Sequence, residues 1–284
     1  MNVIDSHLHV WDLSGGGYSW LGPQHGPLHR SFLPDEAARA LDGAGVGAAV
    51  LVQAEDSEAD SRYLLRVAEA AEWVAGVVGW ISIDDAPAAE RQLGDYAAHP
   101  LFRGTRQLVH DDPRDGVLRL PEVHASLRLV AERGLPFDVP DAWPRDLGDV
   151  VTLADALPQL TVVVDHLGKP PRGANGMADW GATLREVAAR PNTVAKVSGL
   201  GVAGQPFTPD DLRPVLDVAL EAFGAQRLMY GGDWPMTVLA GGYLTAWQVL
   251  SKLIGELSPT EQEHLLHRTA TSVYGLSVDA GGAR

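Results

Sequence analysis

The sequence contains no cysteine, which rules out disulfide frameworks, thiolate metal sites and cysteine nucleophiles. Any metal ion must then be held by nitrogen and oxygen donors. No apolar run approaches the roughly 20 residues that a helical membrane span needs. The start, Met1-Asn2-Val3-Ile4-Asp5, has neither a basic n-region nor an apolar h-region. A cytoplasmic protein with no membrane partner is the expectation. Positive charge is also scarce, with 22 Lys and Arg against 37 Asp and Glu and a net charge of −15. That balance is a poor match for nucleic acid, although a few arginines still suffice for a local anion pocket. Fixed-period repeats, low-complexity segments and Pro- or Ser-rich linkers are missing as well. The 284 residues therefore read as one domain over 1–276, with an unstructured tail over 277–284.

What is present is an alternation. Apolar, β-branched runs near 3–9, 47–53, 74–83, 102–109, 134–139, 161–166, 193–198 and 227–233 are separated by stretches of helical pattern. Pro34-Asp35-Glu36 opens one such helix, and others are expected at 58–73, 86–98, 121–133, 144–157, 179–190, 209–223, 239–257 and 260–274. About eight strands alternating with helices over this length predict an α/β fold, a single-domain (β/α)8 barrel. A doubly wound open sheet is the alternative, but the first strand is not followed by the Gly-rich phosphate turn of a dinucleotide fold. The aromatic residues of the Gly15–Pro23 loop are candidates for covering a pocket or for pinning a surface loop.

In such a barrel the chemistry sits at the carboxyl ends of the strands. Those ends carry His7 and His9, Gln53, Trp80, Arg106 and His110, Asp138, His166, Lys196 and Asp233. Strand alternation puts Asp5, His7 and His9 on one face and Ser6 and Leu8 on the other. Unpaired charges at buried strand ends are costly, so so many at one rim point to a site. Three imidazoles and a carboxylate (His7, His9, His166, Asp233) are a sufficient ligand set for one zinc-like ion. Alternatively, the carboxylate takes a proton from water while imidazoles and cations polarise a carbonyl. Both arrangements serve attack of water on a carboxyl derivative.

Four blocks carry a family resemblance. Asp5-Ser6-His7-Leu8-His9-Val10-Trp11-Asp12, Val164-Asp165-His166-Leu167-Gly168-Lys169-Pro170, Lys196-Val197-Ser198-Gly199-Leu200 and Tyr230-Gly231-Gly232-Asp233-Trp234-Pro235 together resemble the amidohydrolase superfamily. Within it they are similar to the branch of fuconolactonase- and rhamnonolactonase-like enzymes and the related pyrone-dicarboxylate lactonase. The resemblance implies hydrolysis of a sugar-derived lactone to its hydroxy acid, with Asp233 as the general base. It implies substrate contacts from Arg106, Lys196 and His110, a pocket shaped by Gln53 and Trp80, and Asp138 as a further substrate-facing candidate. Related barrels carry a histidine where Asp138 stands, and binuclear ones a bridging lysine or glutamate where Arg106 and Gln107 stand. At most one divalent ion, zinc or manganese, is therefore expected, and metal independence is the other option. No nucleotide or flavin is required, and the expected partner is a small-molecule lactone. The rival readings are a non-oxidative decarboxylase on the same barrel and a non-catalytic sugar-acid binder.

Overall fold

The computed structural model describes residues 2–172 and 175–277. Eight parallel strands follow one another around a barrel: β1 (Ile4–Leu8), β2 (Ala48–Val52), β3 (Val74–Gly79), β4 (Phe102–Arg106), β5 (Phe137–Val139), β6 (Val162–Val164), β7 (Thr193–Val197) and β8 (Leu228–Tyr230). The seam between the ends of β8 and β1 is held beyond the strands. His9 N donates to Trp234 O at 2.7 Å, and Asp233 N donates to His7 O at 2.8 Å. The first and last blocks of the chain are thereby fastened to each other.

Helices α1 (Pro34–Ala44), α2 (Glu58–Ala70), α3 (Ala86–Tyr96), α4 (Pro121–Glu132), α5 (Leu147–Ala156), α6 (Met177–Ala188), α7 (Pro209–Phe223) and α8 (Tyr243–Ile254) return the chain between strands. Their starts are written in the sequence. Ser57 and Asp85 accept backbone N–H bonds at the first turns of α2 and α3, and Thr208 with Asp211 forms a capping box on α7. The stretch expected as one helix over 239–257 instead begins as a short turn, Met236–Ala240, before Gly241 and Gly242 break it. That over 260–274 is α9 (Pro259–Glu263) and α10 (Thr269–Tyr274), joined through a wider π turn at His264–Arg268. From α10, Ala270 and Tyr274 pack against Ile4, Val50, Val78, Val163 and Met229 inside the barrel. The end opposite the strand carboxyl termini is thus closed by apolar side chains. Of the expected tail 277–284, all but Ser277 lies outside the described residues.

β1 departs from simple alternation. Its register with β2 shifts between Asp5 and Leu8. A bulge of this kind changes which face the following residues take. Asp5 accepts from His7 N, Gly232 N and the Tyr243 hydroxyl of α8, while His7 reaches Lys196 across the barrel. Asp5 therefore does not share the inner face with His7 and His9, contrary to the sequence expectation. Burial pushes its carboxyl up to about 6 against those three hydrogen bonds.

Asp60 on α2 gives a stability test away from the site. It accepts from Tyr18 Oη at 2.6 Å and from Ala54 N at 2.9 Å, pinning the 13–28 loop to the barrel. Burial outweighs these bonds and raises its carboxyl to about 6. The folded state then binds a proton that the unfolded state releases, so stability falls as pH rises from about 4 to 6. The displacement corresponds to on the order of 3 kcal/mol. Urea unfolding of Asp60→Asn across that range is expected to show a shallower fall than the parent. An unchanged slope would contradict the assignment.

Candidate active site

The four residues expected to form the site meet at the carboxyl end of the barrel. His7 and His9 come from β1 and its exit, His166 from the turn after β6, and Asp233 from the turn after β8. His7 Nε2 and His9 Nε2 are 3.1 Å apart. Asp233 Oδ1 sits 3.6 Å from His9 Nε2, 3.9 Å from His7 Nε2 and 4.0 Å from His166 Nε2. One carboxylate oxygen thus faces three ring nitrogens. His166 and Asp233 both adopt left-handed backbone, φ 55 and φ 52, which swings their side chains inward at a steric penalty. Gly199 makes room for both: a Cβ there would collide with the His166 ring and lie 2.8 Å from Asp233 Oδ2.

Protons can be assigned from the partners. His9 Nδ1 is 2.8 Å from Val52 O. A carbonyl only accepts, so Nδ1 carries the hydrogen and Nε2 is the nitrogen turned to the centre. Ser198 Oγ lies 2.8 Å from His166 Nδ1 and orients that ring. Burial lowers the pKa of His7 well below the ordinary imidazole value despite Asp165, and lowers His166 despite Asp233. Both rings are neutral at pH 7. Burial also opposes the charge on Asp233, but the imidazoles and Lys169 outweigh it and hold the carboxyl below its usual range. Asp233 is an ionised carboxylate.

Beneath this floor lies a second tier of charge, in which Lys196, Asp138 and Asp165 have no solvent access. Lys196 Nζ donates to Asp138 Oδ2 at 2.6 Å and lies 3.0 Å from both His7 Nδ1 and Asp165 Oδ1. Arg106 Nε donates to Asp165 Oδ2 at 2.9 Å, and its Nη1 donates to Gln53 O. The Tyr274 hydroxyl of α10 donates to Asp138 Oδ2 at 2.8 Å. Two carboxylates and two cations balance, as buried charges must. Burial raises the Asp138 carboxyl to about 6, with Lys196 opposing. Asp165 is held well below the ordinary range because Lys196, His7 and Arg106 outweigh its burial.

Above the floor opens a cavity of about 590 Å³, mouth included, walled by Arg106, His110, Asp141, Lys169, Trp20 and Met236 among others. The sequence-predicted residues therefore separate by level. His9, His166, Asp233, Arg106 and His110 line the cavity. Lys196, Asp138 and Gln53 are fully buried and off the cavity wall, because they stand lower in the barrel or turn sideways into the loops. Gln53 donates to Asp56 Oδ1 at 3.0 Å, and Asp56 also accepts from Gln107 Nε2 and Leu108 N, bracing the loops after β2 and β4. Trp80 spends its indole N–H on Gln107 Oε1 at 2.8 Å and is likewise not on the wall. Trp20, from the Gly-rich loop, does cover the pocket. Asp165, Asp141 and Lys169 were not singled out from the sequence, although Asp165 and Lys169 flank His166 within one motif.

Against this geometry stand the comparisons with known proteins. The sequence model of the amidohydrolase family (Amidohydro_2) matches residues 4–276. The chain belongs to the amidohydrolase family. The L-fucono-1,5-lactonase of Burkholderia ambifaria is 35% identical over 250 residues, 86% of this chain and 84% of that protein. That of Burkholderia multivorans is 32% identical over 286 residues, 96% of each. A Burkholderia multivorans amidohydrolase, solved with bound HEPES and with bound zinc, has TM-scores of 0.87 and 0.85 to this fold. It is 30% identical, and the match covers 98% of this chain and 100% of that one.

As an amidohydrolase, the chain has a donor set that fits one ion. His7, His166 and Asp233 offer ligand atoms within 4.8 Å of one another, and His9 Nε2 adds a fourth. Tetrahedral zinc with bonds near 2.0–2.1 Å places its ligands about 3.3 Å apart, and the donors here, from 3.1 Å to at most 4.8 Å apart, would draw in slightly around it. Ligation through His7 Nε2 requires its proton on Nδ1. Asp165 Oδ1, 3.3 Å from that nitrogen and with no other hydrogen-bond partner among the described residues, is the acceptor for it. Among the described residues a second ion has no counterpart set, since Arg106 stands at the end of β4 and Asp138 is held by Lys196 and Tyr274.

Proposed function

We propose that this amidohydrolase opens a sugar-derived 1,5-lactone to its hydroxy acid. The observation that carries the reading is the Asp233 carboxylate, one oxygen of which faces the imidazoles of His7, His9 and His166 on the floor of a sugar-sized cavity. Asp233 takes a proton from a water molecule whose oxygen attacks the lactone carbonyl carbon. The carbonyl oxygen becomes an oxyanion, for which the N–H groups of Arg106, His110 and Lys169 on the wall are the donors. The tetrahedral centre collapses, the bond to the ring oxygen breaks, and that oxygen takes the proton back from Asp233. The nucleophile is water and the leaving group stays attached, so no covalent enzyme intermediate is needed. A decarboxylase reading fits less well, because Asp138 is committed below the floor.

His7, His9, His166 and Asp233 would hold one divalent ion, zinc or manganese, which when bound supplies Lewis-acid polarisation of the carbonyl or water. The residues themselves set how that ion is met: Val52 and Ser198 fix two of the rings, and Asp165 Oδ1 accepts from the Nδ1–H of the third. Calorimetric titration with zinc is expected to give one site per chain, lost in His7→Ala/His9→Ala. Several weak sites, or a titration unaffected by the double substitution, would contradict that ligand set.

The lactonase reading is tested by pH-stat measurement of acid release from 1,5-lactones of six-carbon sugar acids. Acid release well above the spontaneous rate for at least one is expected. Spontaneous rates throughout the panel would end the reading.

A further inference from the structure

We propose that Asp141 accepts a hydrogen bond from a hydroxyl group of the substrate, and so suits this site to neutral, hydroxylated lactones rather than lactones that carry a carboxylate. The inference rests on the lactonase reading above. Asp141 follows β5 in Val139-Pro140-Asp141 with left-handed backbone, φ 42, a conformation held against a steric penalty. Its Oδ1 is buried and lacks any hydrogen-bond partner among the described residues. A buried carboxylate oxygen left bare is unfavourable unless something fills the gap.

The gap has a definite chemistry. Oδ1 is 4.0 Å from His166 Nε2 and 3.8 Å from Lys169 Nζ, and all three residues line the cavity. These separations are too long for hydrogen bonds but match two polar atoms with one oxygen between them, about 2.8 Å from each. An oxygen in that place donates to a carboxylate and accepts from an ammonium. A hydroxyl does both, whereas an ester carbonyl or a carboxylate oxygen has no hydrogen to give. Charge points the same way. Asp111, Asp141 and Asp233 line the cavity against Arg106 and Lys169, and Arg106 is already paired to Asp165. Apart from Asp233, which belongs to the ion's ligand set, an anionic ligand would meet the carboxylates of Asp111 and Asp141 and a single cation not engaged below the floor, Lys169.

The test compares wild type, Asp141→Ala and Asp141→Asn on a hydroxylated 1,5-lactone and on δ-valerolactone, which has the ring but no hydroxyls. The ratio of the two kcat/KM values is expected to fall on the order of 10- to 100-fold in the alanine variant. A smaller fall is expected in the asparagine variant, which keeps an acceptor. Equal losses on both lactones would mean that Asp141 serves the common chemistry, and an unchanged ratio would mean that it touches no hydroxyl; either overturns the proposal. A wild type that opens no lactone sinks the lactonase reading separately. Calorimetric binding of a hydroxylated 1,5-lactam, which resists opening, then decides the role of Asp141. Binding at least tenfold weaker in Asp141→Ala supports it; equal affinities, or no binding to wild type, overturn it.

Discussion

Asp233→Asn is expected to lower kcat on a sugar 1,5-lactone by about 10²- to 10⁴-fold, the usual loss on removing a general base. The folded chain should persist, because Asp233 N still donates to His7 O and the amide has nearly the carboxylate's shape. The loss comes from basicity. The asparagine oxygen orients a water molecule but cannot take its proton. A carboxylate held below its ordinary range is a weak base, so the rate rests on placement of the water and on the reactivity of the lactone ester. The same displacement fixes a pH signature. Asp233 stays ionised, and His7 and His166 stay neutral, across pH 7–8. The parent kcat/KM should therefore show no limb from these groups in that window. An asparagine variant with near-parental kcat would remove Asp233 from the role of base.

The largest stability effect is expected at Lys196. Replacing it with methionine keeps the volume but leaves Asp138 and Asp165, both without solvent access, with Arg106 as the one remaining cation of the cluster. Breaking a buried pair from one side costs about 3–5 kcal/mol, which for a chain of this size lowers Tm by on the order of 10 °C. Removing the counter-charge at the same time should restore part of it. Lys196→Met/Asp138→Asn is thus expected to unfold at a higher temperature than Lys196→Met alone, and strict additivity of the two losses would show that the pair is not coupled. Lys196 Nζ also lies 3.0 Å from His7 Nδ1, so the single variant should lose activity without any loss of a cavity-lining group.

Much of this was legible in the sequence. Runs such as Val162–Val164 mark buried parallel strands, and polar residues at their exits mark the working end of the barrel. His7, His9, His166 and Asp233, separated by up to 226 positions in the chain, converge as expected. What strand periodicity does not reveal is height along the barrel axis. Lys196 lies within β7 and Ser198 just past it, and those two residues separate a buried brace from a group that orients His166. The bulge in β1 was equally hidden, because one shifted register reverses the face of Asp5 without changing any residue type. Asp141 and Lys169 depend on left-handed backbone in loops, φ 42 and φ 63, for which neither residue type is a reliable signal. Gln53 and Trp80 resemble pocket residues by position, but the loop carboxylate Asp56 and the amide of Gln107 claim their polar groups first.

The most direct test of water attack at this site is hydrolysis of a six-carbon sugar 1,5-lactone in water enriched with oxygen-18, followed by mass analysis of the enzyme-dependent product. One labelled oxygen in the carboxylate and none in the released ring hydroxyl is the expected result. Label in that hydroxyl, or no acid beyond the uncatalysed yield, would contradict the account.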